Sequence, residues 1–438
     1  MTVKGLKKIL EEVAASNMTY AGLRKNGVVV AIDALWFLWR SFKGIKANLT
    51  ASDGRSTSAY IPIMAAVREF GPNNQIWVFD NETSNPEKKE EIERRKEARE
   101  SAQISLFSML NDDTITIAEK SKATVNASAL PRDVVPECKK ILDMLGVRWI
   151  DAPVGVEGEC LAAWLTQNGY ADAVYSADGD CLPFGAKQIL TPVPKKSGSF
   201  RIVSLVDVHR FITSKVLVNY HARVKNMREN YTKKLKKAQR DRDEDAIAQF
   251  TADLNDVPPD LDDADPQEIL KIICMCLGTD WNPAGAKGIG PSTIISQFNK
   301  AYALWLSDAY SELREASSGY SVKLPQDYTP DFNRADVLTN DAGYLLNFDK
   351  LIVYLSGADF KQNTIDGIVK KFSEARDKKK SGTPKKKPAA TASKKKPAAV
   401  AMEEPDVVEE KQEKMKIVVT TVQKLGNTTV KTQLTRRR

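Results

Sequence analysis

At 438 residues, 42% hydrophobic and 28% charged, the chain is long enough to bury a full core in one large domain or two ordinary ones. Its longest apolar stretch, Val28 to Trp39, is broken by Asp33 and too short to span a bilayer, and the N-terminus carries no secretory apolar region, so a membrane partner and secretion are not expected. The formal net charge of +8 misleads, because residues 376–400 hold Arg376 and nine lysines against Asp377 alone and the rest is close to neutral. Nucleic-acid contact by a folded part therefore has to come from local patches.

Residues 28–33 and 76–80 read as buried strands, as do 147–150 and 173–177, with 188–193 weaker. Helical patterns at 34–43, 57–70, 133–145 and 157–168 lie between them. Strand–helix alternation predicts an α/β fold with a mainly parallel central sheet and helices on both faces. Residues 84–130 break the alternation. Pro86 to Gln103 is dense in Lys, Glu and Arg, Asn111-Asp112-Asp113 reads as a turn, and the segment is expected to form a helical cap over one sheet edge. Residues 221–265 look inserted: Arg223 to Arg242 holds nine basic residues and Asp243 to Asp265 nine acidic ones, the pattern of a charged helical hairpin. A core over 1–374 divides into 1–83, the cap 84–130, 131–215, the insertion 221–265, 266–300 and a helical part 301–374. Residues 375–414, Lys/Pro/Ala-rich and then acidic, cannot build a core and are expected to be disordered. Residues 415–438 alternate around Gly426-Asn427 like a small β-hairpin.

Only two histidines occur, His209 and His221, which weighs against a His-built zinc site or a Ser/His/Asp triad. The cysteines at 138, 160, 181, 274 and 276 show no CxxC spacing and read as buried free thiols. What stands out is acidic. Asp33, Asp80 and Asp280 end apolar runs, and Glu157/Glu159 and Asp178/Asp180 form i, i+2 pairs. Open α/β sheets place ligands at the carboxyl ends of their strands. Residues two apart in an extended segment face the same way, so each pair could serve one centre. Seven carboxylates gathered there would repel until divalent cations neutralised them, which is the chemistry of two-metal phosphodiester cleavage.

The blocks Lys4-Gly5-Leu6-Lys7, Val30-Ala31-Ile32-Asp33-Ala34, Val78-Phe79-Asp80, Asp151-Ala152-Pro153 with Glu157-Gly158-Glu159-Cys160, Ala177-Asp178-Gly179-Asp180-Cys181-Leu182, and Leu277-Gly278-Thr279-Asp280 with Gly288-Ile289-Gly290-Pro291 stand in one order. In that order and approximate spacing the chain resembles the flap endonuclease group of the xeroderma pigmentosum group G nuclease family, over residues 1 to about 210 and 266 to about 300. The resemblance implies a PIN-like nuclease core in which Asp33, Asp80, Glu157, Glu159, Asp178, Asp180 and Asp280 hold two Mg²⁺ ions, with Mn²⁺ a possible substitute. It implies structure-specific cleavage of 5′ flaps and 5′ ends on branched DNA. It also makes Gly285 to Thr293, with Lys287, Gly288 and Gly290, part of a helix–turn–helix that grips the duplex backbone, often with K⁺. Pro291 would take the first helical position there. Trp39 is the counterpart of an aromatic that stacks on a base beside the scissile phosphate, whereas Trp36 is expected in the core. Of the cap cations, Lys89 with Arg94 or Lys96 are the expected contacts to that phosphate.

The Asp80–Glu157 separation suits a cap that encloses a single strand, rather than the long insert of bubble-cutting relatives or the short arch of junction resolvases. Departures from the family are equally plain. Thr2 replaces the glycine usual after the initiator, the span from Asp180 to Asp280 is long, and no sliding-clamp motif appears in the tail. The lysine triplets resemble a nuclear import signal or a nonspecific DNA tether, so the nucleus, or another replication site such as a viral compartment, is the expected location. Rival readings are a phage or bacterial-type 5′ nuclease that removes RNA primers, and a catalytically idle branched-DNA binder.

Overall fold

The computed structural model describes residues 5–45, 49–81, 89–110, 129–193, 198–279, 284–316, 328–338, 348–380, 418–424 and 427–433, with isolated positions between them. Seven strands make the central sheet: β1 (Ser16–Thr19), β2 (Val30–Asp33), β3 (Gln75–Phe79), β4 (Arg148–Asp151), β5 (Ala173–Tyr175), β6 (Gln188–Pro192) and β7 (Ser199–Ser204). Their order is β1-β7-β6-β5-β2-β3-β4. Five of them, β6 to β4 across the sheet, are parallel, and β7 and β1 add an antiparallel edge. The parallel strands fall where the apolar runs predict them. The two edge strands were not predicted: Ser16-Asn17-Met18-Thr19 is polar and exposed, with no buried face to mark it.

Alternation along each buried strand sends side chains into two separate cores. Val29, Ala31, Ile76, Val78 and Val174 point to one face, against the N-terminal segment and the helices Gly158–Gln167 and Pro266–Leu277. Val30, Ile32, Trp77, Phe79 and Tyr175 point to the other, against the helices Ala34–Ile45, Tyr60–Phe70, Val134–Met144 and Phe348–Ser356. All five cysteines are buried free thiols.

The chain runs from β2 outward to β3 and β4, then crosses back to β5 on the other side of β2. The sheet's switch point is thus the β2/β5 seam, where open α/β sheets leave a crevice for ligands.

In the 84–130 segment helix Lys89–Leu110 stops just short of Asn111-Asp112-Asp113, and described positions between 119 and 127 are helical again. Gln103 Nε2 donates to the Ala127 carbonyl (3.2 Å) and Lys120 Nζ to that of Leu110 (3.2 Å), tying the returning limb to it. The insertion is a hairpin of helices Val218–Asp241 and Glu244–Asn255. Helix Gln362–Lys380 continues past the boundary drawn at 374 into the first lysine triplet, in keeping with the helix propensity of Lys. Residues 381–417 lie outside the described residues. The tail strands β8 (Val418–Lys424) and β9 (Asn427–Gln433) pair antiparallel, with Lys424 opposite Asn427.

Candidate active site at the carboxyl edge of the sheet

Asp33 is the last residue of β2 and alternates onto the same face as Val29 and Ala31. It is buried, 7% exposed. Its Oδ1 accepts from the Trp36 N–H (3.0 Å) and its Oδ2 from the Ser176 hydroxyl (3.0 Å). Asp178 and Asp180, 3% and 4% exposed, follow β5 on the neighbouring strand end. Ser176 Oγ accepts from the Asp178 N–H (3.0 Å), so one hydroxyl bridges the ends of β2 and β5. Asp180 Oδ1 accepts from the backbone N–H of Val3 (2.9 Å), which fastens the N-terminal segment to the site. Asp80 follows β3 and lies on the same side as Asp33. Its Oδ1 accepts from the Gly158 N–H (2.5 Å), at the start of the helix that carries Glu159 in its first turn.

The electrostatics tie these acids together. Burial first, then Glu159 and Asp80, push the Asp33 carboxyl up to about 8, against the opposing hydrogen bond from Trp36. Burial and then Glu159 raise Asp178. Burial, Asp178 and Glu159 raise Asp180 well above the carboxylate range, with the Val3 N–H opposing. The field extends beneath them. Burial raises the Cys181 and Cys274 thiols and the Tyr320 hydroxyl, and the same acids raise them further. The acids therefore rest on a floor of neutral, protonated groups.

The i, i+2 pairs do not lie in extended segments, contrary to expectation. Glu157 is the N-cap of helix Gly158–Gln167 and Glu159 is inside it, while Asp178 precedes a 3₁₀ turn, Gly179–Cys181, that contains Asp180. The glycine between the members of each pair lets a neighbouring segment approach closely. A Cβ on Gly158 would stand 2.9 Å from Asp80 Oδ1, and one on Gly179 would stand 2.7 Å from Leu6 Cδ2. Both glycines were visible in the sequence as Glu-Gly-Glu and Asp-Gly-Asp. Ser176 and Val3 carried no such signal, because their partners are 143 and 177 positions away.

Asp280, the seventh expected acid, lies outside the described residues. Among the described residues no three carboxylate, thiol or imidazole groups stand close enough to form a finished metal cage. The donor set nevertheless suits a hard cation. It consists of carboxylate oxygens, buried at a cost, and Mg²⁺ needs few direct protein ligands because it keeps several waters.

The other predicted residues are placed more loosely. Trp39 is half-buried and meets Phe42 edge-on (6.3 Å between ring centres). Trp36 packs edge-on against Tyr175 (5.2 Å), as expected of a core residue. Lys89 opens the cap helix, but its side chain lies outside the described residues. Arg94 and Lys96 are exposed on that helix, with the Lys96 ammonium 3.0 Å from Glu93.

In the glycine turn, Gly285 (φ +67°) has no room for a Cβ, which would stand 2.9 Å from the carbonyl oxygens of Cys276 and Leu277. Gly288 (φ +79°) and Lys287 are exposed. The Gly290 N–H is already donated to Thr293 Oγ1 (3.0 Å). Pro291 does not begin the second helix. Residues 291–296 form turns and the helix runs Phe298–Leu306. The N-terminal segment braces this turn too. A Cβ on Gly5 (φ +77°) would overlap Pro291, and Lys8 Nζ donates to Ser292 Oγ (3.1 Å).

Comparison with known proteins adds to this geometry. The XPG N-terminal domain matches residues 1–102 and the XPG I-region matches residues 146–245. Flap endonuclease 1 of Picrophilus torridus is 25% identical over 367 residues, covering 80% of this chain and 90% of that protein. Flap endonuclease 1 of Cryptosporidium parvum is 31% identical over 211 residues, covering 46% and 40%. Among solved structures, flap endonuclease-1 from Methanococcus jannaschii shares the fold, with a TM-score of 0.52 and 20% identity over 84% of this chain and 98% of that one.

Proposed function

We propose that this chain is an XPG-family nuclease, a structure-specific 5′-flap endonuclease and 5′–3′ exonuclease acting in DNA replication and repair. The family makes it a phosphodiester hydrolase. The observation that carries the finer reading is the burial of Asp33, Asp178 and Asp180 together at the β2/β5 switch point. A fold that pushes three acids against their own charge gains from a divalent cation.

Asp33, Asp80, Glu157, Glu159, Asp178 and Asp180, with Asp280, are the residues we assign to two Mg²⁺ ions, for which Mn²⁺ could substitute. Such ions supply an activated water and neutralise charge on the phosphate under attack and on the departing 3′ oxygen. The chain's own part is preorganisation. The Trp36 N–H and Ser176 hydroxyl fix the Asp33 carboxylate, the Val3 N–H fixes Asp180, and the Gly158 N–H fixes Asp80. Held in this way, the acids need not reorganise as charge develops.

The turn at Lys287–Gly290, with K⁺ as its expected companion, positions the duplex backbone without reading sequence. Trp39 stacks on a base near the scissile phosphate, and Lys89, Arg94 and Lys96 of the cap approach that phosphate. Branched DNA is the partner, and the lysine triplets direct the protein to the nucleus or another replication compartment.

The test is a panel of end-labelled substrates with Mg²⁺: single and double flaps, nicked duplex, RNA-primed duplex and a four-way junction. Cleavage at the base of 5′ flaps ahead of the others supports the reading. Preference for the RNA-primed duplex favours the bacterial-type alternative, and binding without cleavage favours the idle binder.

A further inference from the structure

The helix Val218–Asp241 carries charge that the fold does not use. At 100° per residue, Tyr220, Val224, Met227, Tyr231, Leu235 and Ala238 share one side, and Tyr220, Val224 and Ala238 are buried. Arg223, Lys225, Lys233, Lys236, Lys237 and Arg240 fall on the remaining half, all exposed.

An acidic partner helix, Glu244–Asn255, runs beside them, yet it does not neutralise them. Among the described residues, the ion pairing of this helix reaches beyond its partner, from Arg228 to Asp260 (2.6 Å). The limbs meet instead through a cation–π contact, with Lys234 Nζ over the Phe250 ring (5.5 Å). Had the charges served to zip the hairpin, the two limbs would pair, as opposite charges on neighbouring helices do.

The root of this helix is also informative. Tyr220 packs against Phe298 and Tyr302 (5.8 Å each), on the second helix of the duplex-gripping element. The basic face is therefore built onto the part of the molecule that positions DNA. From Arg223 to Arg240 it extends about 25 Å, the length of roughly seven base pairs.

We propose that this face is a second contact for duplex DNA, gripping phosphates of the double-stranded arm beyond those held by the glycine turn. The proposal rests on the nuclease reading and adds to it a requirement for duplex length.

The test uses the full chain and the variant K233Q/K236Q/K237Q, whose exposed substitutions leave the buried side of the helix intact. Binding to flap substrates is followed by fluorescence anisotropy in EDTA across a salt series, with duplex arms of about half and about two helical turns. On long arms the variant's slope of log Kd against log salt becomes shallower by about 2 to 3, at about 0.9 per lost phosphate contact. On short arms variant and wild type coincide. Equal slopes on long arms, or an equal loss on both arm lengths, overturn the proposal. Cleavage of the short-armed flap with Mg²⁺ is measured alongside. Failure of the wild type to cleave sinks the nuclease reading, whereas normal cleavage with equal slopes sinks only this inference.

Discussion

At Glu137, 3% exposed, the hydroxyls of Tyr60 and Tyr354 and the ammonium of Lys140 (2.8 Å) converge on one carboxylate, with Arg55 3.7 Å away. At the strand ends, Asp33, Asp178 and Asp180 are as little exposed, but they converge on one another. Burial alone would raise the Glu137 carboxyl, yet Lys140, Tyr354 and Tyr60 hold it below its usual range. The same burial raises the three aspartates, and their acidic neighbours raise them further. Glu137 is a clamp that joins helices Tyr60–Phe70, Val134–Met144 and Phe348–Ser356, complete within the chain. The aspartates crowd like charges together, a burden that divalent cations would offset. Surface exposure is alike in the two places; the aspartates lie deeper and face other acids, whereas Glu137 faces hydroxyls and a cation.

Substitutions sharpen this contrast. Asp180→Ala should lower flap cleavage by about a thousandfold or more, the scale of losing one preorganised electrostatic contact, while relief of acid–acid repulsion offsets the lost Val3 hydrogen bond and keeps the change in melting temperature small. Near-normal rates in single-turnover kinetics would contradict it. Glu137→Ala should do the reverse. It should cost about 2–3 kcal/mol in denaturant unfolding, because two hydroxyls and a cation lose a buried partner, and leave the cleavage rate of the folded fraction unchanged.

Glu137 also carries a pH signature. Its folded value is depressed, so its stabilisation is complete above the ordinary value of 4.5 and is lost as pH falls through the folded value. The melting temperature of wild type should therefore drop more steeply below that pH than that of Glu137→Gln, and parallel curves would rule the clamp out.

Gly158→Ala places a methyl 2.9 Å from Asp80 Oδ1, and a loss of about tenfold in cleavage with little change in melting is expected. An effect of similar size belongs to Trp39→Ala, about 1–3 kcal/mol of flap affinity by titration in EDTA if its ring stacks on a base, and none if it serves only Phe42.

The sequence revealed the parts of the fold whose signal is local. Apolar runs marked β2 to β6, and acids at their ends marked the catalytic edge, because a strand end and its terminal residue are neighbours in the chain. It did not reveal β1, since Ser16–Thr19 is mostly exposed and pairs with residues near 200, and it missed β7 although Phe200, Ile202 and Val203 are buried. It misjudged why the acid pairs converge, because a helix N-cap and a 3₁₀ turn replace the extended segments assumed. The Glu137 clamp was invisible, as Tyr60 and Tyr354 are 294 positions apart and nothing in either neighbourhood hints at the other. Val3, which ties the N-terminus to Asp180 through a backbone N–H, could not be read from side-chain chemistry at all.

The central claim is that the β2/β5 acids act by holding divalent cations. Cleavage of an end-labelled 5′ flap by the chelated protein, followed as Mg²⁺ is restored, tests it most directly. The account predicts no cleavage in EDTA and a saturable return at the flap base as Mg²⁺ rises; undiminished cleavage in EDTA would contradict it.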